Sequence, residues 1–151
     1  MAQSMTFTHD ESGSPVRGSI CKTTITWVTD GAADGAPGES SSLIYLADGT
    51  TTKKYSGRLI KGITVPDGGG TQPDDNYNII ITDADGVNVL GNCSDDLLLR
   101  DDTNAEEMYF FGNDGVTTVG QHPAVCSALT VSVDTAGNDT GGILYLYWVR
   151  A

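Results

Sequence analysis

The chain has 151 residues, enough for a single domain whose core needs no metal or disulfide staple. Twenty acidic against eight basic side chains leave a formal net charge of −12. That field repels nucleic-acid phosphates and anionic membrane, so neither nucleic acid nor a membrane surface is an expected partner.

Nineteen glycines and eighteen threonines combine turn formers with residues that suit a pleated, half-wet surface, which points to an all-β fold. Cys21, Cys93 and Cys126 are odd in number, widely spaced and free of any Cys-x-x-Cys pattern. They read as reduced, mostly buried small hydrophobes from an intracellular site of synthesis; one disulfide with a thiol left over is the alternative. Residues 1–11 have neither a basic start nor an apolar core, so no signal peptide is visible. The longest apolar run, residues 143–149, is too short to span a bilayer, and a soluble product is expected.

In chain order, residues 1–15 are polar and are expected to form a flexible arm, or one that orders against a partner, ahead of a single β domain over residues 16–151. Residues 18–30 alternate, with Cys21, Thr23, Ile25, Trp27 and Thr29 on one face and Lys22, Thr24, Thr26 and Val28 on the other, as a half-buried strand does. A loop rich in Gly, Ala and Ser follows over residues 31–42. A short strand over residues 43–47 then closes on Asp48-Gly49, a turn dipeptide. Residues 54–65 predict a longer strand, interrupted at Gly57 or Gly62, and residues 66–75 a turn-rich loop around Gly68-Gly69-Gly70. Residues 76–90 read as two strand runs joined across the Asp85-Gly86 turn, with residues 87–90 as the return strand. Thr103 and Glu106 have capping-box spacing ahead of Met108, Tyr109 and Phe110, which predicts one short helix. Two further strands cover residues 127–133 and 142–150. The second is apolar on both faces (Leu144, Leu146 and Trp148 against Ile143, Tyr145, Tyr147 and Val149) and is therefore expected at the centre of a sheet or at a subunit contact. Seven or eight strands with regular turns imply a β-sandwich or a jelly-roll-like fold.

Several residue groups carry potential chemistry. Asp83-x-Asp85-Gly86 has the density of carboxylates a calcium loop needs, but its glycine stands at position four where the EF-hand pattern has it at six; the spacing favours a turn. Acidic pairs at Asp74-Asp75, Asp95-Asp96, Asp101-Asp102 and Glu106-Glu107 have the residue type for acid–base chemistry, yet sequence neighbours in loops point into solvent and do not face each other. His9 and His122 are the only histidines, one in the expected arm and one before Pro123, with no Gly-x-Ser-x-Gly elbow to complete a serine triad. Gly68-Gly69-Gly70 lacks the Gly-Lys-Ser/Thr ending of a phosphate loop. Trp27, Tyr145, Tyr147 and Trp148 have the side chains of a sugar-stacking platform, although core and subunit packing is the commoner use of strand aromatics. No enzyme, no cofactor site and no metal site assembles from these parts.

One set of strand-and-turn patterns carries a resemblance. It runs from Lys54-Tyr55-Ser56-Gly57 through Ile63-Thr64-Val65-Pro66, Gly70-Thr71-Gln72-Pro73, Asn76-Tyr77-Asn78-Ile79 and Thr82-Asp83-Ala84-Asp85-Gly86-Val87 to Val89-Leu90-Gly91. It ends in Leu129-Thr130-Val131-Ser132-Val133 and Gly141-Gly142-Ile143-Leu144-Tyr145-Leu146-Tyr147. Together these resemble small virion-associated proteins of tailed bacteriophages and prophages, with residues 43–48 and Cys93 as departures. The resemblance implies a capsid decoration or cement protein that is made in the host bacterial cytoplasm and sits on the capsid exterior of the virion. Its expected partners are the major capsid protein and further copies of itself, as a dimer or trimer. A tail or head–tail connector component, or a carbohydrate-binding module, is the alternative. The resemblance assigns no functional residue.

Overall fold

The alternation in the strongest strand patterns becomes two antiparallel sheets that share one apolar core. The computed structural model of the chain describes residues 4–10, 18–29, 43–46, 56–89, 99–108, 110–113, 118–120, 124–134 and 136–151. Its strands are β1 (Ser4–Asp10), β2 (Ile20–Val28), β3 (Leu43–Leu46), β4 (Gly57–Pro66), β5 (Tyr77–Thr82) and β6 (Leu99–Arg100). They continue with β7 (Glu106–Met108), β8 (Phe111–Asn113), β9 (Thr118–Gly120), β10 (Ala124–Val125), β11 (Thr130–Asp134) and β12 (Gly141–Arg150). The larger sheet has the order β1-β2-β12-β4, with β7 and β10 each pairing a different part of β4. The smaller has the order β3-β11-β5-β6, and β8 and β9 form a separate ribbon. All pairings among the described strands are antiparallel.

The inner faces follow the sequence periodicity. Cys21, Thr23, Ile25 and Trp27 of β2 are buried together with Leu144, Leu146 and Trp148 of β12. Tyr77, Ile79 and Ile81 of β5 and Val131 and Val133 of β11 close over them from the smaller sheet. Trp27 and Tyr77 meet at a ring-centroid distance of 5.6 Å, so one aromatic contact joins the two layers. β12 takes the central place expected of a strand apolar on both sides, between β2 and β4.

β4 is continuous through Gly62, and neither glycine interrupts it. Gly57 starts the strand where a Cβ would lie 1.9 Å from the Val149 carbonyl oxygen, and Gly62 faces Met108 of β7. The irregularity falls one step away. Tyr147 pairs with Lys61 but Trp148 pairs with Leu59, leaving Ile60 as the extra residue of a β-bulge.

Three expectations are corrected. Residues Ser4–Asp10, within the expected loose arm, form β1 and pair residue for residue with β2 from Ser4↔Val28 to Asp10↔Lys22. Their composition is polar, but Met5 and Phe7 point to the core and give the strand its hold. The return strand expected over residues 87–90 is reduced, within the described residues, to a single bridge between Thr82 and Asn88, and Val87 is 60% exposed. Here the Asp83 carboxylate accepts from the amides of Asp85 and Val87 and curls the chain before a ladder can form. No helix stands at Thr103–Glu106; Thr103 is part of a bend, and Glu106 begins β7. The acceptor that organises this bend is Asp101, and Glu106 reaches back to the Asp101 amide. The only helical element among the described residues is the 3-10 turn Gly69–Thr71 in the glycine-rich loop. No helix among them is long and apolar enough to cross a membrane. The Asp48-Gly49 turn lies outside the described residues.

A small polar network ties the loop before β12 to the end of β2. The Thr29 hydroxyl donates to the Gly137 carbonyl at 2.8 Å and accepts from the Thr140 amide at 2.9 Å. The Thr140 hydroxyl donates to the Ala136 carbonyl at 2.8 Å. Just beyond, Gly142 leaves room for Trp27: a Cβ there would sit 2.7 Å from the Trp27 ring and 2.9 Å from the Val65 carbonyl oxygen. Gly142→Ala is therefore expected to destabilise the fold by about 1–3 kcal/mol, read as a lower urea midpoint at unchanged slope.

Candidate functional site

The feature that stands out from ordinary sandwich architecture is the outer face of the larger sheet. An antiparallel sheet with one wet side normally turns polar residues outward. On β12, however, Ile143, Tyr145, Tyr147 and Val149 alternate with the core residues and remain partly exposed. The register sets Ile63 and Val65 of β4 beside Tyr145 and Ile143. On the other flank it sets Thr24 and Thr26 of β2, and beyond them Thr8 and Thr6 of β1. The result is an apolar and aromatic centre with a threonine border.

Positive charge is placed on this face. Lys22 projects from β2 so that its ammonium lies 3.8 Å from the Tyr145 ring centroid and 5.8 Å from that of Tyr147. A cation over a tyrosine at a half-wet site contributes about 0.5–1 kcal/mol and holds both side chains in place. Lys61 lies across from Tyr147 and forms an ion pair with Glu107 of β7. Near the end of β12 the face runs into an open depression of about 260 Å³ lined by Gly57, Arg58, Ala124, Cys126, Val149 and Arg150, among others. Such a surface suits docking by shape and charge.

The four aromatics that have the side chains of a stacking platform are divided between the two faces. Trp27 and Trp148 are 1% and 3% exposed in the core, whereas Tyr145 and Tyr147 stand on the outside. Asp83 is a turn residue: its Oδ1 accepts from the Asp85 and Val87 amides at 3.0 and 2.9 Å, and its carbonyl accepts from the Gly86 amide, with Gly86 at φ 79°. Asp85 is exposed beside it. Among the described residues no group of three or more His, Cys, Asp or Glu side chains gathers into a metal-holding cluster.

The acidic pairs do separate work. Asp75 accepts from the Asn76 amide at a residue with φ 67°, and Asp102 accepts from Gln72 at 2.7 Å. Hydrogen bonds from Asn104 and Thr103 hold the Asp101 carboxyl well below the usual carboxylate range. His9 stands in β1 with Nδ1 3.1 Å from the Thr23 hydroxyl. Cys21 is a buried thiol and Cys126 an exposed one. His122, Cys93 and the Asp95-Asp96 pair lie outside the described residues.

Two features escaped the sequence reading. Alternation sets Lys22 on one face of its strand and the two tyrosines on one face of theirs, but no periodicity says that β2 lies beside β12. Arg100, 8% exposed with Nη1 3.9 Å from Glu106, is a buried cation next to Tyr77 in a stretch without clear alternation. Burial pushes the Tyr77 phenol up to about 12, opposed in part by the Arg100 charge.

No family model matches the chain, and no curated protein does.

Two pH effects follow from these groups. Between pH about 10 and about 12 an unfolded tyrosine ionises while Tyr77 stays protonated, so folding stability should fall with rising pH by on the order of 2–3 kcal/mol. Tyr77→Phe should flatten that alkaline limb in thermal melts, whatever its effect at neutral pH. Asp101 acts in the opposite sense. Its contribution is present above its ordinary value of 3.8 and is lost as pH falls below it, so Asp101→Asn should make the melting temperature less sensitive to acid.

Proposed function

We propose that the chain is a capsid decoration or cement protein of a tailed bacteriophage, bound to the major capsid protein on the outside of the shell. The observation that carries this reading is the two-sided strand β12, whose inner residues close the core while Ile143, Tyr145, Tyr147 and Val149 face outward. A cement protein needs a stiff body with a preformed contact surface, because modest contacts repeated over many copies add up by avidity. Aromatic residues on a rigid sheet give contact area with little ordering entropy to lose. The net charge of −12 fits a station on the outside of the shell, away from packaged DNA. The resemblance of residues 54–147 to virion-associated proteins supports the same assignment and supplies its phage context.

The reading makes a direct demand on stoichiometry. Purified protein mixed with expanded capsids should bind saturably at a fixed number of copies per capsomer, measured by co-sedimentation and seen as added density in a particle reconstruction. Tyr145→Ala with Tyr147→Ala should weaken that binding by about ten-fold or more while the core stays folded. Particles that carry the protein only at the tail or the connector would move it to that station, and capsids that bind none of it would end the proposal.

A further inference from the structure

We infer that the core binds a structural water between its two sheets, held by the indole of Trp27, the hydroxyl of Thr64 and the phenol of Tyr77. The site is built from the core of this chain and stands whether or not the capsid reading does.

The three side chains come from three strands and both layers. Trp27 belongs to β2 and Thr64 to β4, the two neighbours of β12 in the larger sheet, and Tyr77 belongs to β5 in the smaller. All three are closed off from solvent, at 1%, 1% and 0% exposure. Yet among the described residues Trp27 Nε1, Thr64 Oγ1 and Tyr77 Oη have no hydrogen-bond partner. Buried polar side-chain atoms in folded proteins are nearly always paired, and one left unpaired carries its full desolvation penalty. Three such atoms in one part of the core call for a partner they can share.

Strand register brings them together. Trp27 pairs with Gly142, whose missing side chain lets the indole lie across β12 toward β4. A Cβ on Gly142 would meet Cζ2 and Cε2 of that ring at 2.7 and 3.0 Å, and the Val65 carbonyl oxygen at 2.9 Å. Nε1 is bonded to Cε2, so the N–H edge of the indole lies beside the part of β4 that carries Thr64. The Trp27 and Tyr77 rings are tilted at 46° with their centroids 5.6 Å apart. Thr64 stands close enough to the phenol to draw its pKa down against the larger upward push of burial. The two oxygens nevertheless do not meet in hydrogen-bonding geometry. Polar atoms that are neighbours without touching have the spacing of a water bridge.

The donor set selects water over an ion. An indole N–H only donates, which turns a cation away. An anion would draw on Arg100, which pairs with Tyr77 in register, but Glu106 lies 3.9 Å from that guanidinium and offsets its charge. The net charge of −12 also opposes an anion in the core. Water accepts from the indole and makes one bond with each hydroxyl, about three in all, as buried waters usually do. It thereby joins β2 to β4 behind β12, and both of them to the facing sheet.

The test is a high-resolution crystal structure of the full chain, grown with and without bromide. The wild type should show a water within about 2.7–3.2 Å of Trp27 Nε1, Thr64 Oγ1 and Tyr77 Oη. Thr64→Val puts a methyl group where the hydroxyl was and should expel this water, whereas Thr64→Ser keeps the hydroxyl and should keep the water. In solution the Trp27 indole proton, having lost its acceptor, should shift upfield in Thr64→Val and hold its place in Thr64→Ser. A wild-type core without water at this place overturns the inference, and the wild type alone decides the matter if Thr64→Val does not fold. A direct hydrogen bond between Thr64 and Tyr77, with the indole bonded to a protein acceptor, overturns it as well. An anomalous bromide peak at the site would make it an anion site and end the assignment to water. A water that stays in place in Thr64→Val would show that Thr64 does not hold it, and the three-sided site fails.

Discussion

The rest of the molecule depends on β12 being apolar on both sides. One side supplies Leu144, Leu146 and Trp148 to the core, and pairing with β2 and β4 fixes the middle of the larger sheet. Because those partners hold the strand on both edges, its outward residues have little freedom to move. Tyr145 and Tyr147 are therefore presented in a fixed arrangement, with Lys22 laid across them. A surface built in this way is rigid for the same reason that the core is stable.

Polar side chains serve mainly to shape the loops. Asp83 closes one turn and Asp101 another, each by accepting from amides that no strand satisfies. Thr29 and Thr140 do the same for buried groups between β11 and β12. In an acidic chain this explains why abundant carboxylates need not signal catalysis or metal binding. Several of them have their oxygens engaged by backbone or amide donors, and others stand singly in solvent.

The legible parts of the fold were those in which side-chain alternation and burial agree. β2, β5, β11 and β12 each show a period of two, and in β2 and β12 one of the two faces read from the alternation is the buried one. β1 escaped because threonine, serine and histidine make an edge strand look like a polar tail, with only Met5 and Phe7 to mark its inner face. The short helix expected at Thr103 failed for a different reason. The spacing of Thr103 and Glu106 satisfies a capping box, but the preceding Asp101 takes the Thr103 amide that Glu106 would accept there, and Glu106 accepts from the Asp101 amide instead. The candidate surface was half legible: its residues could be named, whereas their meeting depends on strand order. Strand order is a property of the whole chain, and local periodicity does not contain it.

The Thr29–Thr140 clasp also bears on how the molecule comes into being. It joins residues 111 positions apart, at the point where β12 enters between β2 and β4. Strands that are neighbours in the larger sheet are thus drawn from the two extremes of the chain, and the strand they share is the last in chain order. A nascent chain exposes the apolar edges of β2 and β4 with nothing between them until that strand emerges. Contacts of such high sequence separation make for slow closure. The strand that confers rigidity on the finished surface therefore also sets the moment before which the protein is open to mispairing.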